Sequence, residues 1–450
     1  MKRNTMKNGK MNSNTKEVKK YKMVKENTMY RIIALRDFRN VKKGDKGGLV
    51  YHNFNLSHDG NCWIYYNATV RDQATVMDNA IVEGYSRVVC NAQVFGNAQV
   101  RDEAIICDDA RIGGNAIVGG IALIENEAIV GGNAKVFNSA IVEGKAVIEG
   151  DAQVFDIAFV EGSAIVRDNA RIEGNAIVRG SAVIEGSAVV RGHAQIYDNA
   201  RVRDEAVVRG YAKVYGNAEI CDKAFIYGSA KIFDNAIVRG FAKVHEFAVI
   251  SNKALIHGVA EVEGKVAVRG YAIVEENSKV YDNAIVEGNS HVCGYAIVHG
   301  YAIVRGNAQV RDEAIVRGNA LICDNAIVCD EGILRDDATV YGNAKVRDEA
   351  IVRGNAVVRD DALADGNSIL EDNAILESNA RVLHGTHTNK VQYIKGSDYT
   401  ATVDGDYINI NHNSYTPEEW LMVIDEWDMD SDKKAEYKGI ILFLKNTYMI

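Results

Sequence analysis

The chain predicts an all-β fold, a single-stranded parallel β-helix of triangular cross-section followed by a small C-terminal α+β segment. Three observations lead there. From Ala68 to Ala380, fifty-three six-residue units run without insertion or deletion, and their first slot holds Ala in 47 cases. The exceptions are Ser86, Val266, Ser278, Ser290, Gly332 and Ser368. Two residues on, the slot is Val, Ile or Leu, Ala364 apart; two further on it is Gly, Asp or Asn, except at Cys90, Glu246, Glu276 and Ser378.

Ala and Val two residues apart share one face of a strand, and the residue between them points away from it. Gly, Asp and Asn tolerate a positive φ at least cost, so the third slot is a corner. A hexad cannot bury its own apolar side and must coil onto the strand one turn away. Three corners close a coil of about 18 residues, giving nearly 18 coils and a length of roughly 85 Å at about 4.8 Å per layer. Alternating small and branched side chains fill such a narrow prism without voids. Outward positions one coil apart stack in columns, among them Asn289, Asn307, Asn325, Asn343 and Arg317, Arg335, Arg353.

Four segments follow in order. Residues 1–29 carry nine Lys or Arg against Glu17 and Glu26, a composition that predicts a disordered basic tail. Residues 30–61 alternate apolar positions around a Gly-rich turn and predict short strands capping the first coil. Residues 62–383 are the hexads. In 384–450, Val391–Lys395 and Tyr399–Asn411 predict a hairpin turning at Asp404–Gly405. Thr416-Pro417-Glu418-Glu419 predicts a capped helix start, and a second helix is expected from Asp432 to Tyr448. Exposed strand edges at the ends of a β-helix would stack on other molecules, so both flanking segments are read as caps.

The opening YRIIALRDFRNVKKGDKGG with NLSHDGNCWIYYNATV, followed by NAxVxG/D units, resembles the YdcK-like hexapeptide-repeat proteins of bacteria and phages. That resemblance implies a left-handed coil, a transferase-like repeat superfamily, and the cytoplasm of a bacterium or phage-infected cell. Strand crossovers by themselves favour the right hand, and a right-handed bactofilin-type β-helix stands as the alternative. The shared motif carries no catalytic residue to transfer.

The net charge is −9 with one Pro, and no apolar stretch is long enough to predict a membrane span. Cys62, Cys90, Cys107, Cys221, Cys293, Cys323 and Cys329 show no CxxC spacing and predict free thiols in a reducing compartment. Nucleic acid is not favoured as a partner, because the hexads mix Arg with Glu and Asp. His193, His245, His257, His291 and His299 occupy ordinary variable slots, and no loop leaves the repeat to shape a cleft around one of them. The nearest metal pattern is the column His257, Glu275, Cys293, read as plain surface; no metal or cofactor is expected.

The outward slot is unexpectedly apolar. One column runs Ile105, Leu123, Ile141, Phe159, Ile177, another Ile297, Ile315, Ile333, Ile351, Ile369. Exposed apolar stripes mark partner surfaces, and the second is the candidate oligomer stripe. Trp420, Leu421, Ile424 and Trp427, at helical spacing, form a stripe that the second helix is expected to cover through Ile440, Ile441 and Leu444, and they are also a candidate C-terminal docking surface for a protein partner. The sequence therefore predicts a non-catalytic, self-associating structural or binding protein. The alternative is an acyltransferase-like enzyme with its site between subunits.

Overall fold

The structure, a computed structural model, describes residues 19–65 and 67–449. It divides into two compact units, Met1–Asp151 and Ala152–Ile450. Each is a parallel β-solenoid in which two-residue strands stack on the strand one coil away.

The first unit begins earlier than its composition suggests. Strands β1 (Tyr21–Glu26) and β2 (Met29–Ala34) form an antiparallel hairpin, with Asn27 at φ 57° in the turn. The expected disordered tail to residue 29 is corrected from Tyr21 onward; residues 1–18 lie outside the described residues. The physical reason is burial. The Tyr21 hydroxyl donates to the Asn53 and Leu56 carbonyls, and the buried Lys20 ammonium donates to the Asp59 carbonyl and to Cys62 Sγ at 3.1 Å. Strand β3 (Lys46–Val50) pairs antiparallel with β2, then parallel with Thr69–Val70, which turns the hairpin into the first coil. Trp63–Ile64 stacks on Ile81–Val82 with Trp63 buried in the core.

Both units obey the hexad. The Ala and Val slots, Ala158 and Val160 or Ala314 and Val316 for example, are fully buried. At three of the four positions where Ser replaces Ala, its hydroxyl finds the turn carbonyl three residues back: Ser86 donates to Glu83, Ser278 to Glu275 and Ser368 to Asp365, while the buried Ser290 hydroxyl has no such partner. Strands pair in register, as in Gln99–Val100 on Ile117–Val118 in the first unit and Gln195–Ile196 on Lys213–Val214 in the second.

The corner slot has positive φ even at its exceptions, with 59° at Cys90, 55° at Glu246, 59° at Glu276 and 56° at Ser378. Its backbone N–H stands outside the strand ladder. An Asp at the equivalent corner one coil earlier supplies the acceptor: Asp78 Oδ2 takes the Gly96 N–H at 2.9 Å, and Asp198 Oδ2 takes that of Gly216 at 3.1 Å. Asp is thus common at corners because it tolerates left-handed backbone and also caps the equivalent corner one coil on. The residue after the corner builds amide ladders. Asn61, Asn79, Asn97, Asn115 and Asn133 each donate to the next, ending at Asp151.

In the second unit the last coil strand is Thr386–His387, paired with Ile369–Leu370, so the coil runs slightly past the expected end at 383. There follows a four-stranded antiparallel sheet, Tyr393–Lys395, Thr400–Asp404, Tyr407–Ile410 and Asn413–Tyr415, with Gly405 at φ 61° in the second turn. Helix α1 (Pro417–Val423) starts on the expected capping box: Glu419 N–H donates to Thr416 Oγ1, and Thr416 N–H to Glu419 Oε2 at 2.9 Å. Helix α2 spans Ser431–Tyr448. This segment closes the solenoid edge. Buried Asp404 accepts from the Leu383 and His384 N–H groups at 2.5 and 3.1 Å, and Asn409 donates to the Arg381 carbonyl.

Candidate functional site

Ile297, Ile315, Ile333, Ile351 and Ile369 are direct cross-strand partners on successive coils of the second unit. All five are half-buried, because in-register stacking covers each side chain with its neighbours along the column. In the other apolar column, Ile105, Leu123 and Ile141 stack in the first unit, and Phe159 stacks on Ile177 in the second.

The surroundings of the longer ladder are ordered too. Two residues before each central Ile lies an acid, Glu313, Glu331 or Glu349, just after the corner and exposed. Two residues after it lies Arg317, Arg335 or Arg353, on the same face. The face is therefore striped along the coils: acidic, apolar, basic. Glu313, Glu331 and Glu349 make no ion pair among the described residues. Arg353 pairs with Glu371, and Arg335 Nε, which makes no hydrogen bond, lies 4.0 Å from Asp336 Oδ2. The sequence columns contained the Ile and Arg stripes, but not the Glu stripe beside them.

The C-terminal stripe is covered within its own chain, as expected of the second helix, and is not offered to a partner. Trp420 and Ile424 are fully buried in a core with Ala401, Ile408, Ile410, Tyr437, Ile441 and Leu444, and Leu421 and Trp427 pack against it. The Trp420 indole N–H donates to the Ile408 carbonyl at 2.5 Å. The stripe on α1 is covered by the sheet and α2 of its own chain, leaving it no docking surface.

A polar cavity of about 250 Å³ lies between the last coils and this segment, lined by Asp361, Arg381, Lys395, Tyr399, Asn409 and His412 among others. Behind it, nearly inaccessible Asp365 sits between Arg347 and Arg381, each 2.7 Å from Oδ2. Burial alone would raise its carboxyl pKa, but the two guanidinium groups and the Gly366 N–H hold it well below the usual range. These groups are spent on one another and fasten the cap.

The histidines are likewise engaged. His193 stacks on Tyr211, His245 on Tyr227 and His299 on Tyr281. The predicted column behaves differently. Glu275 is contacted by His257 Nε2 through Oε2, and by His291 Nε2 through Oε1 at 2.5 Å. Cys293 completes the group, and its thiol is pushed up to about 11 by burial and by the charges of Glu276 and Glu275. All seven cysteines are free.

Fold and site geometry define a parallel β-solenoid repeat protein. The family model described as YdcK beta solenoid repeat matches residues 194–210, a stretch of the observed coils, and the chain is similar to that repeat there. No curated protein matches the chain. Among the described residues no helix is long and apolar enough to cross a membrane.

Proposed function

We propose that the protein is a non-catalytic scaffold that pairs with a second copy of itself through the Glu–Ile–Arg face. The observation carrying this reading is the repetition of that order on three successive coils, as Glu313, Ile315, Arg317, then Glu331, Ile333, Arg335, then Glu349, Ile351, Arg353. Branched apolar side chains in the middle of such a face are stabilised by removal from water, at about 25 cal/mol per Å².

The charge order also selects an orientation. A two-fold axis parallel to the coil axis lays Ile on Ile and sets each copy's Glu column against the other's Arg column. An axis across the coils would set Glu on Glu and Arg on Arg, which costs energy at both edges. The face is thus self-complementary in the parallel arrangement, as an isologous contact requires. A scaffold also accords with the uninterrupted coils, which extrude no loop to wall a substrate cleft.

Light scattering on the wild-type chain and on Ile315→Lys/Ile333→Lys tests the reading. A dimer that the variant dissociates supports it, because two unpaired charges would enter an apolar centre. A wild-type monomer at micromolar concentration overturns it.

A further inference from the structure

We propose that Glu275, His291 and Cys293 form a binding site for one zinc-type divalent cation, with His257 positioning the carboxylate. Their donor atoms, Glu275 Oε, a His291 ring nitrogen and Cys293 Sγ, all lie within 4.8 Å of one another. Around a tetrahedral zinc, with bonds of about 2.0–2.3 Å, such donors sit roughly 3–4 Å apart. The adjustment needed is small and falls on the ends of half-buried side chains, which the coil holds at fixed spacing. One carboxylate oxygen, one imidazole and one thiolate leave a fourth position for water. Nitrogen and sulfur donors favour zinc over the hard cations magnesium and calcium.

The arrangement around Glu275 points to the same role. His291 Nε2 and Glu275 Oε1 are 2.5 Å apart, a distance at which a proton lies between them in a hydrogen bond. A cation taking that proton's place would be bound by both atoms, with the imidazole proton carried on Nδ1. His257, one coil away, contacts the other carboxylate oxygen. A partner that fixes a ligating carboxylate is a recurrent feature of metal sites. Local charge favours a cation, since Glu276 and Asp312 lie near Cys293 with Arg311 as the countercharge.

Two of the other mixed clusters lack this construction. In Asp204–Cys221–Asp222 and Asp312–Cys329–Asp330, Asp204 and Asp312 are occupied as corner caps, accepting from the Asp222 and Asp330 N–H groups. The site also lies off the Glu–Ile–Arg face, one corner away in the hexad order, so it stands or falls independently of self-association.

The test is titration of the full-length, metal-stripped chain with Co²⁺, read by absorption. The expected result is one Co²⁺ per chain, with tetrahedral visible bands and a thiolate-to-cobalt charge-transfer band, displaced by Zn²⁺. Cys293→Ser should abolish the charge-transfer band, and Cys323→Ser should leave it. His257→Phe should keep the band but weaken binding by about 10–100-fold. Circular dichroism confirms that each variant retains its β-structure. Absence of the band in the wild type, or its survival in Cys293→Ser, overturns the proposal.

Discussion

Asn325 Nδ2 donates to Asn343 Oδ1 at 3.1 Å, while Asn325 Oδ1 accepts from Asn307 at 3.0 Å. The amide is the one side chain of this size that can accept from one coil and donate to the next. The ladder begins at Asn289 and ends at Asp361, a carboxylate that accepts from Asn343 and has no proton to pass on. Asn325→Asp should therefore break the ladder in its middle and cost about 0.5–1.5 kcal/mol. Asp361→Asn keeps an acceptor and should be near neutral. Chemical denaturation of the two variants checks the order; equal losses would mean the ladder contributes nothing.

Buried slots and exposed positions after a corner should differ in their sensitivity to substitution. Ala158 is fully buried in the prism, whereas its neighbour Ile157 is 55% exposed. Ala158→Leu should overpack the coil and cost about 1–3 kcal/mol. Ile157→Ser, although it removes an apolar side chain, should fall within about 0.5 kcal/mol of wild type. Thermal unfolding distinguishes them.

Corners should invert the usual ranking of Ala over Gly. Asp198 sits at φ 57° and caps the Gly216 N–H. Asp198→Ala loses the cap and keeps the left-handed strain, about 1–2 kcal/mol for a residue with Cβ. Asp198→Gly loses the cap alone. Denaturation midpoints should place Gly above Ala.

Acid should weaken the cap junction. Lys390 and then Arg359 hold the Glu377 carboxyl down to about 2, against about 4.3 in an unfolded chain. A depressed folded pKa gives stability that is present above about pH 4.3 and lost as pH falls toward 2. Wild type should exceed Glu377→Gln in urea midpoint at pH 7, with the gap closing near pH 2. A gap unchanged with pH would remove the ion pairs as its cause.

The prism was legible in the sequence because Ala and Val repeat at a spacing that only a coiled strand makes amphipathic, and Thr416–Glu419 announced its helix by capping chemistry. The hairpin at Tyr21 was hidden, because lysine-rich composition outweighed a short alternation. Trp420 and Ile424 gave the right periodicity, and Ile441 and Leu444 at matching helical spacing pointed to α2 as their cover. Reading by columns found His257, Glu275 and Cys293 yet missed His291, which reaches Glu275 across the face from a position 16 residues on. The acidic edge beside the Ile ladder was missed for the same reason: it lies across the columns.

The most direct test of the paired scaffold is a charge exchange measured by sedimentation equilibrium. Glu331→Arg should weaken the dimer by about tenfold or more, or about 1.4 kcal/mol, by setting Arg against Arg across the two-fold. Adding Arg335→Glu in the same chain should restore the affinity, because the exchanged columns again face opposite charge. A wild-type monomer, or a double variant no tighter than the single one, would contradict the account.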